Sequence, residues 1–403
     1  MKIKNCRSCK SNRLIKVYSL GKQALTGIFP PKKNTKITKG DLSMVLCKKC
    51  KLLQLQHNFD SKEMYGDNYG YMSSLNKSME FHLRVKAINL IKKYNLKSKN
   101  SILDIGSNDG TFLSFFSKNF KLFGCDPTIK KFSKFYRKDI NQLPFFFSEE
   151  HFKNQKFNLI TSIAMFYDLP DPLKFAKEIH NILDDKGVWH IELSYMPLMI
   201  KNTSYDTICH EHLEYYSLFS LKFLLNAANL KIINLSFNQI NGGSIVLDIS
   251  KKKSKYKECK QLIDWVLERE KLNKYNELEK QKSFFKECQN HKILLKKLLK
   301  TLKNQNKKVL GYGASTKGNV LLQYCNIKSD MINNIAEVNK FKFNKYTPGT
   351  NIKIISEKEA KLKKPDYFLV LPWHFKDHII KREKNFLKNG GKLIFPLPDI
   401  EIV

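Results

Sequence analysis

The sequence contains few arginines for a strongly basic protein. Only six of its 72 basic residues are arginine, and the rest are lysines spread along all 403 residues. Proteins that read nucleic-acid bases or grip phosphates favour arginine, because its planar fork binds two acceptors at once. We therefore interpret the formal net charge of +35 as a compositional bias and expect no nucleic-acid partner. A positive field would still attract phosphorylated small molecules.

The sequence also lacks long hydrophobic runs. None approaches the roughly 18 residues that a membrane helix needs, and the first ten residues contain no apolar stretch typical of a signal peptide. We therefore expect a cytoplasmic, monomeric protein with no membrane contact. Hydrophobic residues make up 42% of the chain, which excludes a disordered protein. A chain of 403 residues is too long for one compact core, so two or three domains are expected.

The nine cysteines fall into two groups. Cys6 and Cys9 form one C-x-x-C pair, and Cys47 and Cys50 form a second pair 37 residues later. Each short turn presents two thiolates, and two turns complete a tetrahedron, so the pattern predicts a zinc ribbon with a structural metal. The other five cysteines are scattered singly, which is typical of a reducing compartment. Zinc ribbons can also bind nucleic acid, so a nucleic-acid-binding protein remains an alternative at this point.

Short apolar runs alternate with amphipathic stretches in two parts of the chain. The first series lies at 101–107, 121–126, 157–166 and 187–193, and a hairpin around Asn241-Gly242-Gly243 closes it. Residues 255–306 contain neither proline nor glycine and predict one or two long helices. The second series lies at 308–314, 333–339, 366–373 and 391–398. We predict an α/β protein with a doubly wound parallel sheet and a second α/β unit. The predicted domains are a zinc-binding domain at 1–75, a central domain at 76–252 and a C-terminal domain at 253–403.

The segment L-D-I-G-S-N-D-G-T-F-L at 103–113 reads as a strand, a glycine turn and a helix start. Its glycines allow close approach of a ligand, and an acidic residue 20 positions after the first glycine can accept hydrogen bonds from ribose hydroxyls. The turn is not G-x-G-x-x-G, and it resembles motif I of class I S-adenosylmethionine (SAM) methyltransferases. The candidate cofactor-binding residues are Asp104, Gly106, Ser107, Gly110, Asp126 and Ala164.

A second glycine cluster, G-Y-G-A-S-T-K-G-N, occupies residues 311–319. It also follows a predicted strand, and Glu337 lies 24 residues beyond Gly313. Such a turn can hold a pyrophosphate at the start of a helix, and taken alone it would equally support an oxidoreductase. The candidate substrate-binding residues, assigned to the phosphates, are Ser315, Thr316, Lys317 and Asn319.

The stretch from Tyr205 to Ser217 contains His210, Glu211 and His212 in succession. An imidazole titrates near neutrality and is suited to removing a proton next to a carbonyl group. The pattern is not H-E-x-x-H and no third ligand is evident nearby, so a metal site is not predicted here. Structural histidines remain the alternative for both positions.

The motifs taken together resemble the nucleotide-sugar C-methyltransferases of branched deoxysugar biosynthesis. The resemblance covers essentially the whole chain. The series runs, in order, through the four cysteines, Y-G-Y-M-S-S (69–74), L-D-I-G-S-N-D-G-T-F-L, C-H-E-H-L-E-Y-Y-S-L, N-G-G-S, G-Y-G-A-S-T-K-G-N, P-D-Y-F-L-V-L-P-W and G-G-K-L-I-F-P-L-P.

The resemblance implies a zinc-bearing N-terminal unit, a central SAM-binding domain and a C-terminal Rossmann-like domain. It implies an NDP-4-keto-6-deoxyhexose substrate, from which a base removes the proton next to the ketone so that the enolate carbon attacks the methyl group. By the family's pattern His212 is the base, Glu211 supports it, and Tyr71 reaches the sugar.

Two positions depart from the family's pattern. Cys209 stands where tyrosine is usual before H-E-H, and Tyr167 and Asp168 stand after the third strand, where histidine is frequent. We take Asp168 as a candidate to assist proton handling, and Cys209 as a small hydrophobic residue. These departures leave open whether carbon, oxygen or nitrogen accepts the methyl group.

Overall fold

A computed structural model describes residues 1–64 and 71–403 of the protein. The first two residues of the Y-G-Y-M-S-S segment, 69 and 70, lie outside the described residues, whereas Tyr71 lies within them. Three β-sheets organise the described part of the chain. Within it, no helix combines the length and the apolar character that a membrane crossing needs.

The N-terminal unit is an antiparallel sheet that carries the cysteine pairs at one end. Leu14 at the start of its first strand faces Cys47 at the end of the second. The knuckle that precedes the first strand therefore meets the knuckle that follows the second. The elements are β1 (Leu14–Ala24), β2 (Lys39–Cys47), β3 (Leu53–Leu55) and α1 (Ser61–Met64).

The central unit is a seven-stranded sheet with helices on its faces. Its elements are α2 (Lys77–Lys93), β4 (Ser101–Ile105), α3 (Thr111–Ser114), β5 (Lys121–Cys125), α4 (Ile129–Phe132), β6 (Ile140–Leu143), β7 (Phe157–Ile163), α5 (Pro172–Ile182), β8 (Leu183–Ser194), α6 (Met196–Lys201), β9 (Glu214–Tyr215), α7 (Leu218–Ala227), β10 (Leu230–Asn238) and β11 (Ser244–Lys251). The sheet order is β10-β11-β8-β7-β4-β5-β6. The strands from β8 to β6 are parallel, and β11 is antiparallel to both of its neighbours. All five residues of β4 are buried, as expected for a parallel strand covered on both faces.

The C-terminal unit begins with two long helices and continues as a six-stranded sheet. Its elements are α8 (Lys260–Leu272), α9 (Leu278–Asn304), β12 (Val309–Tyr312), α10 (Thr316–Tyr324), β13 (Asn334–Glu337), β14 (Lys353–Ser356), α11 (Glu357–Leu362), β15 (Tyr367–Val370), α12 (Lys376–Arg382), α13 (Lys384–Lys388), β16 (Lys392–Phe395) and β17 (Glu401–Ile402). The order is β14-β13-β12-β15-β16-β17, and only the pairing of β17 is antiparallel. The predicted second α/β domain is thus present.

Strand β9 belongs to the sheet of the N-terminal unit, although it lies far along the chain. It pairs with β3, so the sheet order is β1-β2-β3-β9. The buried residues Leu53, Cys209 and Leu321, one from each unit, share a single hydrophobic cluster. The H-E-H segment is therefore packed between the N-terminal and C-terminal units.

Candidate functional site

The four paired cysteines form a cluster that fits a zinc ion. The Sγ atoms of Cys6 and Cys50 are 3.5 Å apart, as are those of Cys9 and Cys47. All four sulfurs lie within 4.8 Å of one another, close to the edge of about 3.8 Å that Zn–S bonds of about 2.3 Å give a tetrahedron. Four thiolates leave no open coordination position, so the metal held here is structural. Among the described residues, no other group of three or more side chains that could bind a metal comes together. The H-E-H segment therefore does not form such a group with its surroundings.

Arg7 connects the cysteine cluster to strand β9. Its Nη1 donates a hydrogen bond to the carbonyl oxygen of Leu55 at 2.6 Å, and its Nε lies 3.6 Å from the Glu214 carboxylate. Both side chains of this ion pair are buried. The first cysteine knuckle therefore holds the strand that follows His212.

The glycine turn after β4 has the geometry of a ligand-binding turn. Gly106 has φ of +79°, and its N–H donates to the carbonyl oxygen of Cys125 at 2.9 Å. A Cβ atom at Gly106 would stand 2.9 Å from Cγ of Met165, so a residue with a side chain could be placed here only if Met165 moved. Asp126 receives the Asn108 N–H at 2.9 Å, which ties the turn to the end of β5.

Tyr136 packs over the same turn, and no motif in the sequence singled it out. Its hydroxyl lies 2.7 Å from Oγ of Ser107 and donates to the carbonyl oxygen of Asn108 at 3.0 Å. A Cβ at Gly110, whose φ is +76°, would stand 2.9 Å from the Tyr136 ring. The ring therefore fixes the shape of the turn.

Two carboxyl groups lie at the carboxyl edge of the central sheet. Asp104 accepts a hydrogen bond from Oγ1 of Thr161 at 2.6 Å, and burial, with the charge of Asp126 nearby, raises its pKa to about 7. Ala164, at the end of β7, has φ of +55° and donates its N–H to the carbonyl oxygen of Glu192. Asp126 Oδ1 also accepts the Thr128 N–H at 2.7 Å and the Thr128 hydroxyl at 2.6 Å. A carboxylate has about four acceptor positions, so Oδ2 keeps capacity for one ribose hydroxyl. The residues present therefore fit a cationic, hydroxyl-bearing cofactor such as SAM.

Tyr71 lies next to the glycine turn. Its carbonyl oxygen accepts a hydrogen bond from Nδ2 of Asn108 at 3.2 Å, and the Ser73 N–H donates to Oδ1 of the same asparagine. The residue as a whole is 49% exposed, while burial of its hydroxyl raises the pKa of Tyr71. Its backbone is thus anchored to the cofactor turn.

His212 is held in one tautomer with its second nitrogen available. Its Nδ1–H donates to the carbonyl oxygen of Thr207 at 2.7 Å, and its ring packs edge-on against Tyr167 with centroids 4.4 Å apart. No described residue hydrogen-bonds to Nε2, which therefore carries a lone pair. Burial, reinforced by the charge of Lys317, lowers the pKa of His212 to about 3. The imidazole is consequently neutral, and a pKa this low makes Nε2 a weak base in the unliganded protein.

The neighbours of His212 face the N-terminal unit instead. The His210 ring is fully buried, packs edge-on against Phe59 and donates from Nε2 to the Gly40 carbonyl oxygen at 3.3 Å. The Glu211 carboxylate accepts a long hydrogen bond from Oγ1 of Thr26 at 3.5 Å, and burial raises its pKa. Among the described contacts, none joins the Glu211 carboxylate to the His212 ring. These contacts give His210 a structural position, and Glu211 is linked to the base through the backbone.

The loop after β7 is fastened to the H-E-H segment. The carbonyl oxygen of Tyr167 accepts the N–H groups of Leu213 at 2.7 Å and Glu214 at 3.1 Å. The charge of Asp168 lies close enough to contribute to the raised pKa of Cys209. Cys209 itself is fully buried in the shared hydrophobic cluster, as a small apolar residue would be.

The four residues proposed for substrate phosphates occupy different surroundings at the start of α10. Ser315 caps the helix by accepting the Gly318 N–H at 2.9 Å, and Thr316 follows it. Asn319 is buried and donates from Nδ2 to the Thr26 carbonyl oxygen at 2.7 Å. Lys317 donates to the carbonyl oxygen of Asn241 at 2.7 Å. Lys317 is the member of the set whose charge acts on the His212 ring.

Three further residues surround Lys317 and escaped the sequence interpretation. Trp373 donates from Nε1 to Oδ2 of the buried Asp206 at 2.8 Å. His374 is largely buried, its Nδ1 has no partner among the described residues, and burial together with the charge of Lys317 lowers its pKa to about 3. The only available signal was P-W-H at 372–374, which also reads as the end of a strand.

Three family models match consecutive parts of the chain. A "Putative zinc binding domain" matches residues 6–65, a "Methyltransferase domain" matches residues 79–235, and a "C-methyltransferase C-terminal domain" matches residues 239–398. The C-methyltransferase NovU of Streptomyces niveus is 27% identical over 409 residues, covering 100% of this chain and 97% of that protein.

Solved structures match less than half of the chain at low similarity. The plantazolicin methyltransferase BpumL in complex with SAH has a TM-score of 0.37 at 15% identity, covering 44% of this chain and 86% of BpumL. A SAM-dependent methyltransferase from Clostridium acetobutylicum has a TM-score of 0.34 at 14% identity, covering 43% of this chain and 92% of that one. Scores this low carry no argument about the present site.

The strand order, the glycine turn and the methyltransferase model together define the chain as a class I SAM-dependent methyltransferase. The zinc-binding match, the C-terminal match and the full-length similarity to NovU support a C-methyltransferase with an N-terminal zinc-binding domain. The predictions of fold class, methyl donor and structural zinc are thereby confirmed.

Proposed function

We propose that the protein methylates a carbon atom next to the ketone of a nucleotide-linked 4-keto deoxysugar. The observation that carries the proposal is the state of His212. The Thr207 carbonyl oxygen holds its Nδ1–H, so the lone pair lies on Nε2, to which no described residue donates a hydrogen bond. A neutral, oriented imidazole is the group that removal of a proton beside a carbonyl requires.

Each step of the proposed reaction is assigned to particular residues. His212 Nε2 accepts the proton, and the electron pair of the broken C–H bond forms an enolate. SAM, when bound, supplies an electrophilic methyl group to the enolate carbon. Asp104, Asp126 and the turn from Gly106 to Gly110 position the donor. Tyr71 and Asp168 stand beside the acceptor as hydrogen-bonding groups.

A nucleotide sugar is proposed as the acceptor for two reasons. The motif series resembles enzymes that act on such substrates, and the lysine-rich chain attracts phosphorylated metabolites. Within the set proposed for phosphates, Lys317 carries the charge that acts on His212, while Ser315 and Asn319 already hold protein partners. We also propose that the enzyme is a cytoplasmic monomer, and the free state of its cysteines is consistent with a reducing compartment.

A direct experiment tests this function. Purified zinc-loaded protein is incubated with SAM and a panel of NDP-4-keto sugars, and products are weighed by mass spectrometry. We expect a mass gain of one methyl group with at least one sugar, and a loss of about 10²-fold or more in turnover for His212→Asn with unchanged donor affinity. His378→Asn, an exposed histidine on α12, serves as the matched control and should retain full turnover. No methylated product from any sugar, or full activity of His212→Asn, would contradict the proposal.

Methyl transfer to oxygen or nitrogen is the second candidate. It is favoured by the fully buried Cys209 and by Asp168, which stand where the family's pattern has tyrosine and histidine. Carbon-13 NMR of the product distinguishes the outcomes, because a C-methyl group resonates far upfield of an O-methyl group. An O- or N-methyl signal would replace the enolate mechanism by direct attack of a deprotonated heteroatom.

A further inference from the structure

We propose that Lys317 is a catalytic residue that donates a hydrogen bond to the ketone oxygen of the acceptor and stabilises the enolate charge formed there. This inference rests on the proposed function and gives Lys317 a role in the chemical step rather than in phosphate binding.

The ammonium group of Lys317 has unused hydrogen-bonding capacity in a largely buried place. It carries three N–H donors, and its one hydrogen bond among the described residues goes to the Asn241 carbonyl oxygen at 2.7 Å. No carboxylate of the described residues lies within 4.0 Å of it. The carboxylate of Asp206 attracts this ammonium electrostatically. Its Oδ2 accepts the Trp373 indole N–H, and its Oδ1 has no hydrogen-bond partner among the described residues. A largely buried ammonium with unfilled N–H donors and no carboxylate within hydrogen-bonding distance indicates that the ligand supplies a further acceptor.

A short series of contacts connects this ammonium to the base. Asn241, which holds Lys317, precedes Gly242, where an added Cβ would stand 3.1 Å from the Trp373 ring. Trp373 is bonded to Asp206, and the next residue, Thr207, holds the His212 ring. The depressed pKa of His212 has the charge of Lys317 as its second cause, in agreement with this placement.

The chemistry of enolate formation explains why the ammonium belongs at the oxygen. When His212 Nε2 takes the proton, the C–H electron pair becomes a C–C π bond and the carbonyl π pair moves onto oxygen. An ammonium donor fixed at that oxygen stabilises the charge as it develops, and such preorganised donors are worth about 10²–10³ in rate. When the carbon attacks the methyl group, the pair returns to the carbonyl and Lys317 remains protonated.

A phosphate in the same position would have the opposite effect. Its negative charge beside the acidic C–H would oppose formation of a second negative charge on the neighbouring atoms. The two roles for Lys317 therefore predict different kinetic behaviour.

Deuterium exchange without the methyl donor isolates the proton-transfer step. Holoenzyme and an accepted NDP-4-keto sugar are mixed in D₂O, and the exchange rate at the carbon beside the ketone is followed by proton NMR. For Lys317→Met we expect the saturated exchange rate to fall by about 10²–10³ with KM changed by less than about threefold. Lys317→Arg should recover part of the rate, and Lys297→Met, an exposed position on α9, should match wild type. A KM raised by more than about tenfold at an unchanged saturated rate would overturn the inference and indicate a phosphate anchor.

A measurement on the protein alone keeps the inference testable if that variant is poorly active for other reasons. Histidine resonances are titrated by NMR in wild type and in Lys317→Met, with circular dichroism confirming the fold. Removal of the ammonium should raise the pKa of His212, and an unchanged pKa would overturn the placement. Absence of exchange and methylation in wild type would refute the proposed function. The role of Lys317 is tested separately, by comparing an active wild type with Lys317→Met.

Discussion

Two glycine turns in this molecule have the same backbone design and different surroundings. Gly106 after β4 and Gly313 after β12 both have φ of +79°, and each donates its N–H to the end of the neighbouring strand, at 2.9 Å and 2.8 Å. Each turn also gives one N–H to a carboxylate, Asn108 to Asp126 and Ala314 to Glu337, in both cases at 2.9 Å. The local sequence signal therefore identifies the turn in both places.

The difference lies in what covers each turn. Lys342 donates to the Ala314 carbonyl oxygen at 2.7 Å and approaches Glu337 to 4.0 Å, and Phe29 packs against the same ammonium. The second turn thus holds a cation supplied by the protein itself. Over the first turn lie the side chains of Met165 and Tyr136, and its carboxylates face no lysine partner among the described ion pairs. The same turn geometry therefore forms the proposed SAM site in the central unit, whereas in the C-terminal unit it is occupied by Lys342 of the protein itself.

Replacing the carboxylates of Asp126 and Glu337 should give the largest difference between the two turns, measured as SAM affinity. We expect Asp126→Ala to weaken SAM binding by about 10²-fold, because hydrogen bonds to a charged group are worth about 1.5–3 kcal/mol. Glu337→Ala should leave the dissociation constant within about twofold, since its partners are internal to the C-terminal unit. Isothermal titration calorimetry measures both. Equal losses in the two variants would show that the second turn also contributes to donor binding.

Adding a methyl group to each glycine tests how rigid the coverings are. Both positions have positive φ, which costs a residue with a side chain about 1–2 kcal/mol. At Gly313 the new Cβ would stand 2.7 Å from the Pro372 ring, and at Gly106 it would meet the flexible Met165 chain at 2.9 Å. We expect Gly313→Ala to lose about 3 kcal/mol and Gly106→Ala about 1–2 kcal/mol of unfolding free energy in urea titrations. The reverse order would mean that the first turn is the more rigid one.

The smallest expected contrast depends on pH. Asp104 lies two residues before Gly106 and has a pKa raised to about 7, whereas Gly311 occupies the equivalent place in the second turn. Since the charged carboxylate attracts a cationic donor, SAM affinity should rise severalfold between pH 6 and 8. The apo protein should respond oppositely, because a carboxyl group with a raised folded pKa stabilises the fold at low pH, and this contribution is lost as pH rises through about 7. Asp104→Asn should flatten both profiles in calorimetry and thermal melts.

The sequence predicted the elements whose cause is local. Strands such as β4 and β12 appear as short apolar runs before glycine turns, and the cysteine spacing alone indicated a closed metal site. Lys342 and Tyr136 carried no signal and Trp373 only that of a strand end, because their roles arise from contacts with residues 28 to 167 positions away. Strand β9 escaped for the same reason, since two residues contain no periodicity. The domain boundaries at 75 and 252, and the roles of individual site residues, remain predictions.

The pairing of β9 with β3 has a consequence for how the enzyme depends on its metal. Gln54, opposite Glu214 in that pairing, also donates to Sγ of Cys6 at 3.2 Å. The scaffold that holds His212, the proposed base, is thus continuous with the cysteine cluster, while the glycine turn proposed for SAM belongs to a separate sheet. We expect chelation of the metal to leave a protein that still binds SAM and no longer methylates the proposed acceptor, so that metal supply governs turnover without governing cofactor occupancy.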